Sequence, residues 1–190
     1  MKKLIFTLLA LTAFALNSAL AQSGGSEEVI LDNLRAKSIG TTAAGGNIAT
    51  TYQEGGANVS MVQQVQTSTV ANQVNVLQVG SFNQAALQQT GAGIRATVNQ
   101  FGNYNSFESS MTGANLTSNV VQLGNGNSIT QQVQGSNLNY GLLQYGDNNT
   151  INQIETSPGS RSYKVVQEGN NMNITIEQSA GFVPVTVRQQ

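Results

Sequence analysis

At 190 residues the chain could bury one sizeable core, but 21 Gln, 22 Asn and 20 Gly beside only 9% charged residues describe an unusual one. A formal net charge of -1 leaves no basic stripe for phosphates, so no nucleic-acid partner is expected. With neither His nor Cys there is no disulfide, thiol nucleophile or common metal-ligand set, so the expectation is a non-enzyme with no catalytic residue, cofactor or metal.

The chain opens with Lys2 and Lys3, an apolar run from Leu4 to Leu16, and the small-residue site Ala19-Leu20-Ala21. Residues 1–21 therefore read as a secretory signal peptide. The run is shorter than the roughly 20 apolar residues of a membrane-spanning helix, so no membrane insertion is expected. Residues 22–41 hold Glu27, Glu28, Asp32, Arg35 and Lys37 and few apolar side chains, which favours a flexible leader. The alternative is a short helix capped by Ser26, with acids first and bases last as the helix dipole prefers.

From residue 42 to 190 the chain is a repeat. The unit Gln-x-Gly-x-x-Asn returns every 22 residues at Gln78, Gln100, Gln122 and Gln144, with further copies beginning at Gln53 and Gln167. Its turn glycines are Gly55, Gly80, Gly102, Gly124, Gly146 and Gly169, and its corner asparagines are Asn58, Asn83, Asn105, Asn127 and Asn149, with Met172 departing. A finer unit of about 11 residues adds Gln64, Gln89, Gln178 and Gln189 to the glutamine column, with Met111, Val133 and Glu155 as exceptions. The spacing slips by three residues between 64 and 78 and by one between 155 and 167. The opposite corner is aliphatic at Ile94, Leu116, Leu138 and Val183.

Alternation with period two places the residues four and two before each ladder position inward. The first column runs Val74, Ala85, Ala96, Phe107, Ser118, Ile129; the second carries Ser109, Gln131 and Gln153 as polar exceptions. The fold predicted is all-β: a solenoid of about six 22-residue strand-turn-strand coils, stacked parallel and in register, becoming cross-β amyloid when assembled. Stacking would place each inward amide against the next at about 4.8 Å, where unpaired burial costs on the order of 1–3 kcal/mol. Glu155, beside Pro158 and Gly159, is expected to escape the interior through a local loop.

These residues resemble the curlins, subunits of the bacterial extracellular amyloid called curli. The family repeat reads approximately Ser-x5-Gln-x-Gly-x2-Asn-x-Ala-x3-Gln; Gln78-Gly80-Asn83-Ala85-Gln89 matches its second part in full, and Gln53-Gly55-Asn58-Ser60-Gln64 has Ser for Ala. The resemblance covers residues 42–190, and departs at the missing strand-start Ser, at Phe107, Ile129 and Ile151, and at Met111, Val133 and Glu155. It implies secretion through the periplasm and a dedicated outer-membrane pore with accessory factors, and growth of a cell-surface fibre for biofilm matrix and adhesion. The implied partners are the chain itself and other curlin subunits, with residues 22–41 as the segment addressed to the pore. A minor nucleating subunit of the same fold is an alternative, as is a non-polymerising secreted solenoid adhesin.

Open coil ends decide between polymer and adhesin in this reading, because unpaired edge strands are templates unless charge, proline or a helix blocks them. The first coil, with Ala49, Thr51 and Gln53, is open to addition, whereas Pro184 and Arg188 in the last strand are either a partial block or an outward pair.

Overall fold

The computed structural model describes residues 46–157, 159–179 and 186–189, so the expected signal peptide and leader lie outside the described residues. Every strand pairing is parallel, and two rows of strands form the two walls of a β-solenoid of about six coils. The first row stacks β1 (Ile48–Glu54), β3 (Gln73–Val79), β5 (Arg95–Phe101), the second halves of β6 (Ser106–Leu123) and β7 (Ser128–Tyr145), then β9 (Arg161–Glu168) and β11 (Thr186–Gln189). The second row stacks β2 (Val59–Gln66), β4 (Gln84–Ala92), the first halves of β6 and β7, β8 (Thr150–Ser157) and β10 (Asn173–Gln178).

Ladder positions stay in register throughout: Gln53 pairs with Gln78, Gln78 with Gln100, Gln100 with Gln122 and Gln144 with Gln167. The two slips in spacing fall between strands, after β2 and after β8, and do not shift the pattern of faces. That placement follows from period two, since one extra residue inside a strand would turn every inward side chain out.

The interior columns are those the alternation predicts. Val74, Ala85, Ala96, Phe107, Ile129 and Ile151 are buried, as are Val76, Leu87, Val98, Val120, Leu142 and Val165. Each fully buried Val, Leu, Ile or Phe contributes roughly 1.5–3 kcal/mol, enough to hold together coils that carry no disulfide.

The two corners differ. At the first, all six turn glycines have positive φ, from +100° at Gly55 to +139° at Gly169. At Gly102, a Cβ would also stand 2.1 Å from the carbonyl oxygen of Gly124 in the next coil, so stacking excludes any side chain. Two residues on, Phe82 and Tyr104 take left-handed conformations at φ 58° and stack in the open with ring centroids 5.0 Å apart. The second corner is tighter, and in β6 and β7 the inter-coil pairing continues through it, from Gly113 on Gly135 to Leu116 on Leu138. There the expected aliphatic column of Ile94, Leu116 and Leu138 is buried, while Val183 lies outside the described residues.

One expectation is overturned. Glu155 does not leave the interior: it sits in β8 in register with Val133 and is 1% exposed. The reason is Arg161, which takes the corner position after Leu138 and reaches inward to within 3.1 Å of the Glu155 carboxylate. A paired carboxylate can be buried where a lone one would be expelled.

Candidate functional site: the amide ladders and the open edges

The glutamine column of the sequence is two different columns in space. Along the first wall it is unbroken: Nε2 of Gln53 donates to Oε1 of Gln78 at 2.6 Å, Gln78 to Gln100 at 2.7 Å, Gln100 to Gln122 at 2.8 Å, Gln122 to Gln144 at 3.0 Å and Gln144 to Gln167 at 2.9 Å. From Gln78 to Gln167 another N–H of each amide crosses the core to a strand-start carbonyl on the other wall, as from Gln100 to Gln84 at 2.9 Å and from Gln122 to Ser106 at 3.0 Å. The ladder therefore links coil to coil and wall to wall with the same group, and from Gln78 to Gln144 leaves no amide donor unused.

Along the second wall the column is interrupted. Gln64 donates to Gln89 at 2.8 Å, but Gln89 faces Met111 and its buried Nε2 finds no partner. Beyond Met111, Val133 and Glu155, Gln178 serves instead as an acceptor for Arg161 at 3.2 Å. Gln189 keeps the register on Gln167 by its backbone.

Polarity on this wall moves two residues upstream, to the polar exceptions of the second inward column. Ser109 and Ser118 both donate to Oε1 of Gln131, at 3.0 and 2.9 Å; Gln131 donates to Gln153 at 2.8 Å, and Gln153 to the Tyr163 hydroxyl at 2.7 Å. This chain crosses the core twice and ends beside the Glu155–Arg161 pair. Burial pushes the Tyr163 phenol up to about 12, and pushes that of Tyr140 higher still with the Glu155 carboxylate adding to it.

The corner asparagines have a different task from the glutamines. Each side-chain oxygen accepts the backbone N–H of the corner residue in the following coil, from Asn83 on Asn58 at 3.0 Å to Met172 on Asn149 at 3.1 Å. Each Nδ2 donates to the carbonyl of the next turn glycine, as from Asn83 to Gly102 and from Asn127 to Gly146, both at 2.7 Å. Two groups that a turn would leave orphaned are thus paired in every coil. Met172 receives this support and passes none on.

Sequence reasoning missed three parts of this arrangement. Asn47 and Asn72 perform the asparagine task at the second corner, where Asn72 accepts from Ile94 N at 2.9 Å and donates to Gly91 O at 3.1 Å. Counting six residues back from Gln53 and Gln78 finds them; counting forward across the three-residue slip does not. A second exposed ladder runs along the first corner, with Asn103 N donating to Asn125, Asn125 N to Asp147 and Asp147 N to Asn170 at 3.0, 2.7 and 2.6 Å. The Ser109–Gln131–Gln153 chain was visible only as a run of exceptions.

The ends of the stack are where these ladders stop. Columns fully buried in the middle are only part-buried in the first coil at Gln53, Ser60, Val62 and Gln64, and in the last at Ile174 and Gln178. Among the described residues no strand pairs with the outer edges of β1 and β2, or with those of β10 and β11. The described residues contain no cluster that could hold a metal ion and no helix long and apolar enough to cross a membrane. No protein-family model, curated protein or solved structure matches the chain.

Proposed function

We propose that this chain is a structural subunit of a secreted, cell-surface amyloid fibre of the curli kind, growing by end-to-end addition of identical solenoids. The observation that supports this most is the directed ladder: each glutamine amide of the first wall from Gln53 to Gln144 donates toward the C-terminal coil, so the first coil presents its acceptor end at Gln53. The last coil of one molecule set on the first of the next would place Gln178 over Gln64 and β11 over β1. Such a contact is heterologous, and its repetition gives a filament rather than a closed ring.

Half-buried core columns at both ends supply the driving force, since Val62, Ile174 and their neighbours lose water only when another coil covers them. The other elements of this reading rest on the curlin-like repeat: passage through an outer-membrane pore, contact with other curlin subunits, and a place in biofilm matrix and adhesion. The test follows the chain from Gln22 onward at micromolar concentration with an amyloid dye and fibre diffraction. Growth accompanied by a reflection at about 4.8 Å along the fibre axis is expected. Protein that stays monomeric overturns the proposal, and efficient seeding of another curlin at low ratio would assign it the nucleating rank.

A further inference from the structure

Two aromatic residues stand where the backbone least favours them. Phe82 and Tyr104 both hold the left-handed conformation, at φ 58°, in a column whose other members are Ala57, Gly126, Asn148 and Asn171. Glycine and asparagine adopt that conformation at little cost, whereas a bulky side chain there is an outlier, and strain of this kind gathers at functional sites. The two rings lie 5.0 Å apart and parallel to within 1°, so each covers one face of the other. Tyr104 is nevertheless 64% exposed, because its far face looks toward the next coil, where Gly126 has no side chain.

That open face is one side of a slot. Gly126 forms the floor, and Asn148 leans over it from the coil beyond, its Oδ1 standing 2.5 Å from the point that a Cβ on Gly126 would occupy. One coil rise of about 4.8 Å and that further step place the oxygen about 7 Å from the Tyr104 ring. This height holds one ring, in contact with the tyrosine at about 4 Å and hydrogen-bonded to the amide at about 3 Å. Beside the slot, Asp147 Oδ1 accepts from N and Nδ2 of Asn125 at 2.7 and 3.1 Å. The second carboxylate oxygen of Asp147 and the side-chain amide of Asn148 make no hydrogen bond among the described residues. Phe82 offers no such site, since only Gly56 and Ala57 stand in the coil beyond its own far face.

We infer that this slot binds one neutral hexopyranose residue of a glycan, a site that each folded subunit carries whether or not it assembles. A pyranose presents an apolar C–H face to the tyrosine and vicinal hydroxyls at its rim. Asn148 meets those hydroxyls as donor and acceptor, and Asp147 as acceptor. Charge specifies that the sugar is neutral: the first corner carries Glu54, Asp147 and Glu168 and, among the described residues, no Lys or Arg, so uronates and nucleotides are repelled. An aromatic or proline side chain of another protein fills the apolar side of the slot but leaves Asp147 and Asn148 to water. At the ligand efficiency of drug-sized molecules, the roughly thirteen heavy atoms of a methyl hexoside correspond to a dissociation constant of about 1 mM.

The experiment is saturation-transfer NMR on the chain from Gln22 onward, soluble or assembled, with methyl β-glucoside and methyl β-galactoside as probes and methyl glucuronide as the anionic comparison. Expected are a dissociation constant of about 1–10 mM for at least one neutral probe, and saturation concentrated on the C–H protons of one sugar face. Binding of the glucuronide should be weaker by about fivefold or more. Tyr104→Asn gives position 104 the residue type of position 148; it should keep the sheet signal in circular dichroism and weaken binding by about tenfold or more. Tyr104→Phe, which keeps the ring, should bind within about threefold of the unaltered protein. If Tyr104→Asn does not fold, Gly126→Asn, which fills the slot, is scored in the same way and should show the same loss. No saturation of either neutral probe, saturation spread evenly over the sugar, a glucuronide that binds as tightly, or unchanged affinity in a folded slot variant would each overturn the inference. None of these results bears on the fibre reading, which dye binding and fibre diffraction decide separately.

Discussion

Replacing Gln122 by Met should cost far more than the same change at Gln89, although both are fully buried members of one sequence column. Gln122 accepts from Gln100 at 2.8 Å and donates to Gln144 at 3.0 Å and to Ser106 O at 3.0 Å. Methionine of similar volume would orphan the Gln100 N–H and the Gln144 oxygen, at roughly 1–3 kcal/mol each. Burying an apolar side chain in place of an amide returns about 1–2 kcal/mol, so the net loss is about 3 kcal/mol. Gln89 accepts only from Gln64, and its own Nε2 is already buried without a partner against the Met111 coil. There the substitution removes one bond and one orphan together, and the change should lie within about 0.5 kcal/mol of zero or stabilise. Urea unfolding of the monomeric solenoid followed by circular dichroism reads both. With a slope of about 2 kcal/mol/M, Gln122→Met should lower the midpoint by about 1.5 M and Gln89→Met should hardly move it. Equal shifts, or a Gln122→Met shift below about 0.3 M, would refute the claim that ladder continuity rather than glutamine content carries the stability.

Gly102→Ala, whose Cβ would stand 2.1 Å from Gly124 O at φ +111°, should prevent coil stacking, whereas Gly56→Ala, with its nearest neighbour at 3.7 Å, should fold and assemble normally; soluble yield and circular dichroism decide. Glu155→Val alone should destabilise by about 3 kcal/mol, because it strands the Arg161 charge that is 9% exposed. The double change Glu155→Val with Arg161→Leu should match or exceed the unaltered protein, since it extends the Met111–Val133 and Leu116–Leu138 columns; a double variant as weak as the single one would count against the ion pair as the cause. Tyr163, with its phenol raised to about 12 by burial, and Tyr140, raised further, favour the folded state while neutral. Their contribution is complete below the unfolded value near 10 and is lost as pH climbs from there through 12, at about 1.4 kcal/mol per unit for each. Tyrosinate absorbance from these two rings should therefore rise together with the loss of sheet signal, and ionisation well before unfolding would contradict their burial.

The period, the strand faces, the turn glycines and the first-wall ladder of Gln53, Gln78, Gln100, Gln122, Gln144 and Gln167 were legible in the sequence alone. Parallel in-register stacking converts identity at a fixed spacing directly into vertical neighbours, so a repeated residue type already names its own partner. What the neighbours across the core would do was not legible. Gln89 lost its ladder to Met111, and Ser109, Gln131 and Gln153 became a chain because Ser118 and Tyr163 face them from the other wall. Glu155 stayed inside because a corner residue six positions later turned its guanidinium inward. Val79, Phe101, Leu123 and Tyr145 became one outward column only when strands 22 residues apart were laid edge to edge. Along this chain the sequence alone determined what repeats vertically, one coil upon the next; the tertiary structure decided what meets horizontally, because contacts between walls join residues whose separations follow no period.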